Sequence, residues 1–219
     1  MTGNWPPADR TTRERYAARV RGCLLGGAIG DALGAPVEFW SASQIRAEAG
    51  PDGVREYLPI DNGEGPLHGR ITDDTQMTLF TVEGLIRASI RQDRGIGFTV
   101  GVVHSAYDRW LDTQLLPGPP SGAPTGWLAQ QRWLYARRAP GTTCLDALGS
   151  ARGGALRIPQ YGHPAVNDSK GCGGVMRSAP FGLLPPVWSR RRIFDLAAEA
   201  AGYTHGHPTG KLASGAFAA

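Results

Sequence analysis

Apolar runs long enough to cross a membrane are missing from this 219-residue chain. A helical span needs about 20 consecutive apolar residues, yet the glycine-rich stretch between Arg21 and Asp31 holds nine uncharged residues. The first twenty residues contain no apolar core of the kind a secretory leader carries. Cysteine is scarce: Cys23, Cys144 and Cys172 are odd in number, widely spaced and never in a C-x-x-C pair. That excludes a disulfide scaffold and the usual structural zinc site, and it fits a reducing compartment, so a cytoplasmic location is expected. Lysine is rarer still. Lys170 and Lys211 are the only two among 23 basic residues, and the net charge of +4 is dispersed in arginines along the chain. The densest basic run, Arg190 to Arg192, reads as a solvated helix start rather than a nucleic-acid patch, so no nucleic-acid partner is expected. Alternating strand patterns are few.

What the chain has is apolar content for a core, 41% hydrophobic against 19% charged residues, and apolar positions at helical spacing. A first helix is expected over about Thr12–Leu33, burying Tyr16, Val20, Cys23, Leu24 and Ala28 on one face. Others are expected over Thr75–Ser89, Phe98–Leu111, Trp127–Arg137 and Thr142–Leu148. Ser189 is a fitting N-cap for a helix that carries Ile193, Phe194, Leu196 and Ala197 and stops near Gly202. Another helix begins near Lys211. Long turn-rich loops separate these helices at Gly50–Gly69, Leu116–Gly126 and Gly149–Gly174. The expectation is an all-α, multi-helix fold with long functional loops. Residues 1–12 are read as a flexible segment and 13–219 as the domain.

Five segments could carry chemistry. Thr72-Asp73-Asp74-Thr75 stands at the entry to a helix, with Pro66 and Gly69 upstream. Adjacent acids in mid-helix diverge by about 100°, but at a helix entry they can converge. Two readings are open here: an N-cap with a spare acid, or oxygen ligands for Mg²⁺ or Mn²⁺ that need further donors to complete an octahedron. Gly22, Gly26, Gly30 and Gly34 recur every four residues. Helical glycines cost about 1 kcal/mol each relative to Ala, so either tight helix packing or the close approach of a ligand should offset them. Glu38 follows Pro36, which ends the helix. Its neighbours Val37, Phe39 and Trp40 suggest a partly desolvated acid suited to proton transfer, and a surface acid is the alternative.

The remaining two segments lie toward the C-terminus. Ser169 to Arg177 contains a Gly-rich loop whose backbone amides could cradle phosphate. In Thr204-His205-Gly206-His207-Pro208, His205 is the better candidate to touch a ligand, and His207 reads as a turn residue.

Taken in order, Arg21–Gly34, Pro36-Val37-Glu38, Ile71-Thr72-Asp73-Asp74-Thr75-Gln76-Met77, Gly171–Arg177 and Thr204-His205 resemble the ADP-ribosylglycohydrolase family, which includes the dinitrogenase reductase-activating glycohydrolases. The resemblance implies an all-α fold and a cleft with two Mg²⁺ or Mn²⁺ ions. It implies hydrolysis of the glycosidic bond between ADP-ribose and a modified protein side chain or small molecule. By position, Thr72, Asp73 and Asp74 would be metal ligands. Glu38 would handle the proton or the water. Ser169, Lys170, Gly171, Cys172, Gly173 and Gly174 would surround the phosphates and ribose, and His205 would contact the substrate. Cys172 stands where the family often has Asn. The family's second acidic motif, of the Asp-x-Asp-Thr type, has no counterpart, since no D-x-D occurs in the chain. The domain is therefore read as C-terminally incomplete. The alternative function is a catalytically impaired ADP-ribose binder of the same ancestry.

Overall fold

A computed structural model describes residues 9–61, 66–122, 125–153 and 162–219. Residues 1–8 of the expected N-terminal segment, and 62–65, 123–124 and 154–161 within the three expected loops, lie outside the described residues. Among the described residues the architecture is all-α, with seven α-helices, several single 3₁₀ turns and one two-residue antiparallel pairing of Ile60–Asp61 with Pro66–Leu67. The helices are α1 (Arg10–Gly34), α2 (Ala42–Ala49), α3 (Asp73–Asp93), α4 (Gly101–Leu115), α5 (Thr142–Ala151), α6 (Arg190–Gly202) and α7 (Pro208–Ala218). No helix among the described residues is long and apolar enough to cross a membrane.

Two antiparallel helix pairs frame the core. In the first, contacts run in reverse order along α3 and α4. Gln76 meets Trp110 and Gln114, Thr81 meets Tyr107, and Gly84 meets Val103. A Cβ on Gly84 would stand 2.7 Å from the Val103 Cα, so only glycine permits this helix separation. The second pair is α6 and α7, where Gly215 lies against Phe194 and Gly202 against Lys211. Met77, Phe80, Tyr107, Trp110, Leu148, Phe181 and Leu196 fill the space between the pairs.

Local chemistry accounts for the helix limits. Asp9 caps α1 by accepting from the Thr12 N–H, so the helix starts at Arg10, earlier than expected. Pro36 converts the end of α1 into a 3₁₀ turn, Ala35–Val37. Ser189 caps α6 through the Arg192 N–H, and Arg190 to Arg192 are solvent-exposed as expected of a helix start. His207 accepts from the Thr209 N–H and caps α7, the turn role expected for it.

Two expectations are corrected. Trp127–Arg137 is not a helix: it holds two 3₁₀ turns, Leu128–Gln130 and Arg132–Leu134, separated by an extended Gln131. The buried Gln76 amide donates to the carbonyls of Leu134 and Ala136, at 3.2 and 3.1 Å, and those carbonyls are thereby drawn toward α3. The second correction concerns the α1 glycines. Added Cβ atoms at Gly22, Gly26, Gly30 and Gly34 would meet nothing within 4 Å among the described residues, so tight helix packing does not explain the stripe. The expected buried face is present: Tyr16, Val20, Cys23, Leu24 and Ala28 are all half-buried, whereas Leu25 and Ile29 on the other side are exposed.

Candidate active site

Asp31, near the end of α1, organises the entry to α3. Its Oδ1 accepts from the Thr72 hydroxyl at 2.7 Å. Its Oδ2 accepts from the Thr72 N–H at 2.8 Å, the Thr75 N–H at 3.2 Å and the Thr75 hydroxyl at 2.5 Å. One carboxylate thus satisfies two of the backbone donors a helix start leaves open, and its charge is favoured beside the positive helix end. Thr72 is the N-cap, its Oγ1 accepting from the Asp74 N–H at 3.2 Å, and the Asp73 N–H donates to the Arg138 carbonyl at 2.9 Å. Asp73 and Asp74 are therefore the first two helical residues rather than pre-helical ones. Sequence reasoning treated Asp31 only as the acid bounding the glycine stripe. The one hint of its role is that it is the sole charge between Arg21 and Glu38.

Asp73 and Asp74 both line a cleft of about 670 Å³, together with Asp31, Glu38 and Thr72. Asp73 is only 6% exposed. Burial, then the neighbouring Asp74, pushes its carboxyl up to about 7, although the Gly141 N–H partly opposes this. Asp74 is raised to about 6 by burial and by the charges of Asp31 and Glu38. Neither acid has a cationic side-chain partner among the described residues. Carboxylates crowded in a half-closed cleft without a counter-charge fit a bound cation. Among the described residues no three His, Cys, Asp or Glu side chains form a group that could hold a metal ion, so these acids alone do not make a complete site.

Glu38 reaches the same cleft but is not desolvated. The 3₁₀ turn after α1 carries it outward, with Phe39 90% exposed and Trp40 37% exposed, so the expected apolar shield is absent. Gly30 and Gly34 form part of the cleft wall beside it, and here the stripe has a use: side chains at these positions would narrow the space above the acids.

The Gly-rich segment forms the opposite wall. Gly171, Cys172 and Gly173 line the cleft, but Ser169, Lys170 and Gly174 do not. Ser169 instead ties the loop together, its carbonyl accepting from the His207 N–H and its hydroxyl lying 3.3 Å from that of Thr143. Lys170 is exposed, and Gly174 packs on Ala201 and Ser214. Residues Cys172–Gly174 form a 3₁₀ turn, and Gly171, Gly173 and Gly174 do not have the positive φ of a phosphate nest. Their lack of side chains matters for contact. A Cβ on Gly173 would stand 2.7 Å from His205 Cε1 and 2.9 Å from Cys144 Sγ.

His205 lines the cleft from behind this loop and is 2% exposed. Burial, then the charge of Arg177, lowers it to about 4, so it is neutral at pH 7. Its Nδ1 lies 2.8 Å from the Thr204 hydroxyl. That hydroxyl also accepts from Arg177 Nη2 at 2.7 Å. Arg177, 1% exposed, donates further to the Gly173 carbonyl at 2.6 Å and sits 4.3 Å over the Tyr107 ring. It is held by carbonyls, a hydroxyl and an aromatic face, and so locks the Gly loop to α6 and α4. Gly173→Ala is expected to displace His205 and to lower the melting temperature by a few degrees. A thermal melt checks this, and an unchanged melting temperature would show that the loop has slack.

Sequence reasoning also missed the α5 entry. Gly141, Thr142 and Thr143 line the cleft, and α5 begins there with a glycine N-cap that offers no side-chain oxygen. Its open helix start therefore faces the same space as that of α3.

The family model for ADP-ribosylglycohydrolase matches residues 12–219. An uncharacterised protein of Archaeoglobus fulgidus is 41% identical over 68 residues, which is 31% of this chain and 21% of that protein. The uncharacterised protein YegU of Escherichia coli K12 is 36% identical over 72 residues, again 31% of this chain and 21% of the relative. The chain thus spans about a fifth of the length of these curated relatives in the matched segments. With nearly the whole chain matched from the first turn of α1 onward, it belongs to the ADP-ribosylglycohydrolase family.

Proposed function

We propose that the cleft binds an ADP-ribosylated protein side chain or small molecule and hydrolyses its glycosidic bond to ADP-ribose. The observation that carries this reading is the pair Asp73 and Asp74, facing one cleft with Glu38 and without a counter-cation among the described residues. Asp73, Asp74 and Thr72 would hold Mg²⁺ or Mn²⁺. Such an ion supplies charge stabilisation and orients the ribose hydroxyls when bound.

The chain's own groups divide the remaining work. The open helix start of α5 and the small residues Gly171 and Gly173 give room and positive potential for the diphosphate. Binding energy from that remote portion holds the anomeric carbon near the acids. Glu38, exposed and ionisable at the cleft edge, takes a proton from the attacking water as the new C–O bond forms. The bond to the modified group breaks with its electron pair going to that group, which takes up the proton that Glu38 received from the water. Neutral His205 braces the loop, and its cleft-facing edge would touch the substrate.

The test is release of ADP-ribose from ADP-ribosyl-arginine and ADP-ribosyl-serine peptides, with Mg²⁺, with Mn²⁺ and after EDTA. Metal-dependent release is expected, lost in Glu38→Gln and Asp74→Asn. ADP-ribose binding without turnover would support the impaired binder instead. Absence of both binding and turnover would refute the assignment of this cleft.

A further inference from the structure

A second pocket opens farther along α3. Arg87 stands 13 residues beyond Asp74 on that helix, about 20 Å along its axis. The pocket has a volume of about 450 Å³ and is lined by Arg87 and Arg91 from α3, Arg109 from α4, and Ile90 and Trp127. Three guanidinium groups gather here against one buried carboxylate, Glu83. Glu83 lies 3.7 Å from Arg109 Nη2 and 3.8 Å from Arg87 Nη1, too far for hydrogen bonds.

The donors are poorly used. Arg109 Nη1 donates to the Ser105 carbonyl at 2.9 Å, but Arg109 Nε and Nη2 and Arg91 Nε have no hydrogen-bond acceptor among the described residues. The Arg109 side chain is nine-tenths buried, so water does not readily replace the missing acceptor. The chain keeps this arrangement closed on one side with Gly126, whose φ is +124°. A Cβ there would collide with both Glu83 Oε1 and Arg109 Nε. Arg87 and Arg91 share one helix face at i,i+4, a spacing at which like charges repel unless an anion lies between them. Trp127 and Ile90, each 43% exposed, form an apolar rim.

We infer that this pocket is a second ligand site, which takes a phosphate group on the guanidinium forks of Arg87, Arg91 and Arg109 and the aromatic or apolar group attached to it on Trp127 and Ile90. Planar guanidinium groups match phosphate oxygens in pairs, and an aromatic rim beside them favours a phosphate ester over a free anion. The pocket size is that of a small-molecule site. The inference does not rest on the reading of the cleft.

Titration calorimetry of the full chain with inorganic phosphate and with phenyl phosphate, at low ionic strength, tests it. Both should bind, phenyl phosphate more tightly. Arg87→Ala/Arg91→Ala should weaken both about tenfold or more. Trp127→Ala should weaken phenyl phosphate and leave inorganic phosphate unchanged. Thermal melts establish that the variants fold, and Arg91→Gln serves as a milder second variant. Asp73→Asn, which alters only the cleft, should leave both affinities as they are. Failure of either probe to saturate below about 10 mM, or equal binding by the arginine variants, would overturn the site. So would tighter binding in Asp73→Asn, because loss of a negative charge there would strengthen an anion held in the cleft.

Discussion

Replacing Asp73 with Asn is expected to raise the melting temperature of the metal-free chain at pH 8 and, at the same time, to abolish its response to Mg²⁺. The buried Asp73 carboxyl titrates near 7 in the folded chain, against an ordinary value of 3.8. The folded state therefore holds this proton more tightly than the unfolded state does. Its stabilising contribution is complete below about pH 4 and is lost as pH rises through 7. At pH 8 the charged side chain is a burden on the order of 3 kcal/mol. Asp74 shares part of that burden, because each charge raises the other's cost.

Asn keeps the acceptor that faces the Gly141 N–H and removes the charge. A gain of about 2–3 kcal/mol at pH 8 should therefore shrink toward zero at pH 4. For a chain of this size that is a rise of roughly 5–10 °C. In the unsubstituted chain a divalent ion bound at these acids would offset the same charge and raise the melting temperature with its concentration. Melts across pH 4–8, with and without Mg²⁺, read both effects. A variant no more stable than the parent at pH 8 would show that the acid is not held under electrostatic strain. A variant that still responds to Mg²⁺ would remove Asp73 from the ligand set.

The parts of this chain that were legible in sequence are those where local pattern and tertiary burial agree. The α1 face from Tyr16 to Ala28 follows helical spacing, and the structure half-buries each of those residues. The Ser189 cap and the His207 turn are local devices that work whatever surrounds them. Helix α2 carries a similar device, a capping box between Ser41 and Gln44, but its short, weakly apolar run gave no periodic signal. The misread segment, Trp127–Arg137, has helix-compatible spacing. Its conformation is decided by a distant partner, Gln76, which no local window contains.

The site divides the same way. Thr72, Asp73 and Asp74 announce themselves as adjacent oxygen-bearing side chains at a helix entry. Asp31 and Arg177 do not, because their work is to hold other elements 41 and 27 residues away in sequence, at Thr72 and Thr204. Glu38 marks the limit of local reading: apolar neighbours in sequence do not shield an acid when the turn sends them into solvent.

Asp31→Ala is expected to be the most damaging single change near the cleft, and its two physical effects have opposite signs. Loss of the carboxylate removes four hydrogen bonds and leaves the Thr72 and Thr75 N–H groups at the α3 entry without an acceptor. At roughly 1 kcal/mol for each bond to a charged, half-buried acceptor, the loss is about 3–4 kcal/mol. Against this, Asp31 is one of the charges that raise Asp73 and Asp74, so its removal relieves repulsion. Burial is the larger cause for both acids, and relief from one neighbour is the smaller quantity. The net result should be destabilisation by about 2–3 kcal/mol, with the first turn of α3 frayed and Mg²⁺ affinity lost.

Asp31→Asn separates the two effects. Its carbonyl oxygen can keep the three donors now on Oδ2, and its amide can donate to the Thr72 hydroxyl, so most of the geometry survives while the charge goes. Stability should fall by about 1 kcal/mol or less, and the titrations of Asp73 and Asp74, followed by carboxyl-carbon NMR, should move down toward ordinary values. Equal losses in the Ala and Asn variants would mean that the charge at Asp31, rather than its hydrogen-bond pattern, holds the entry to α3 in place.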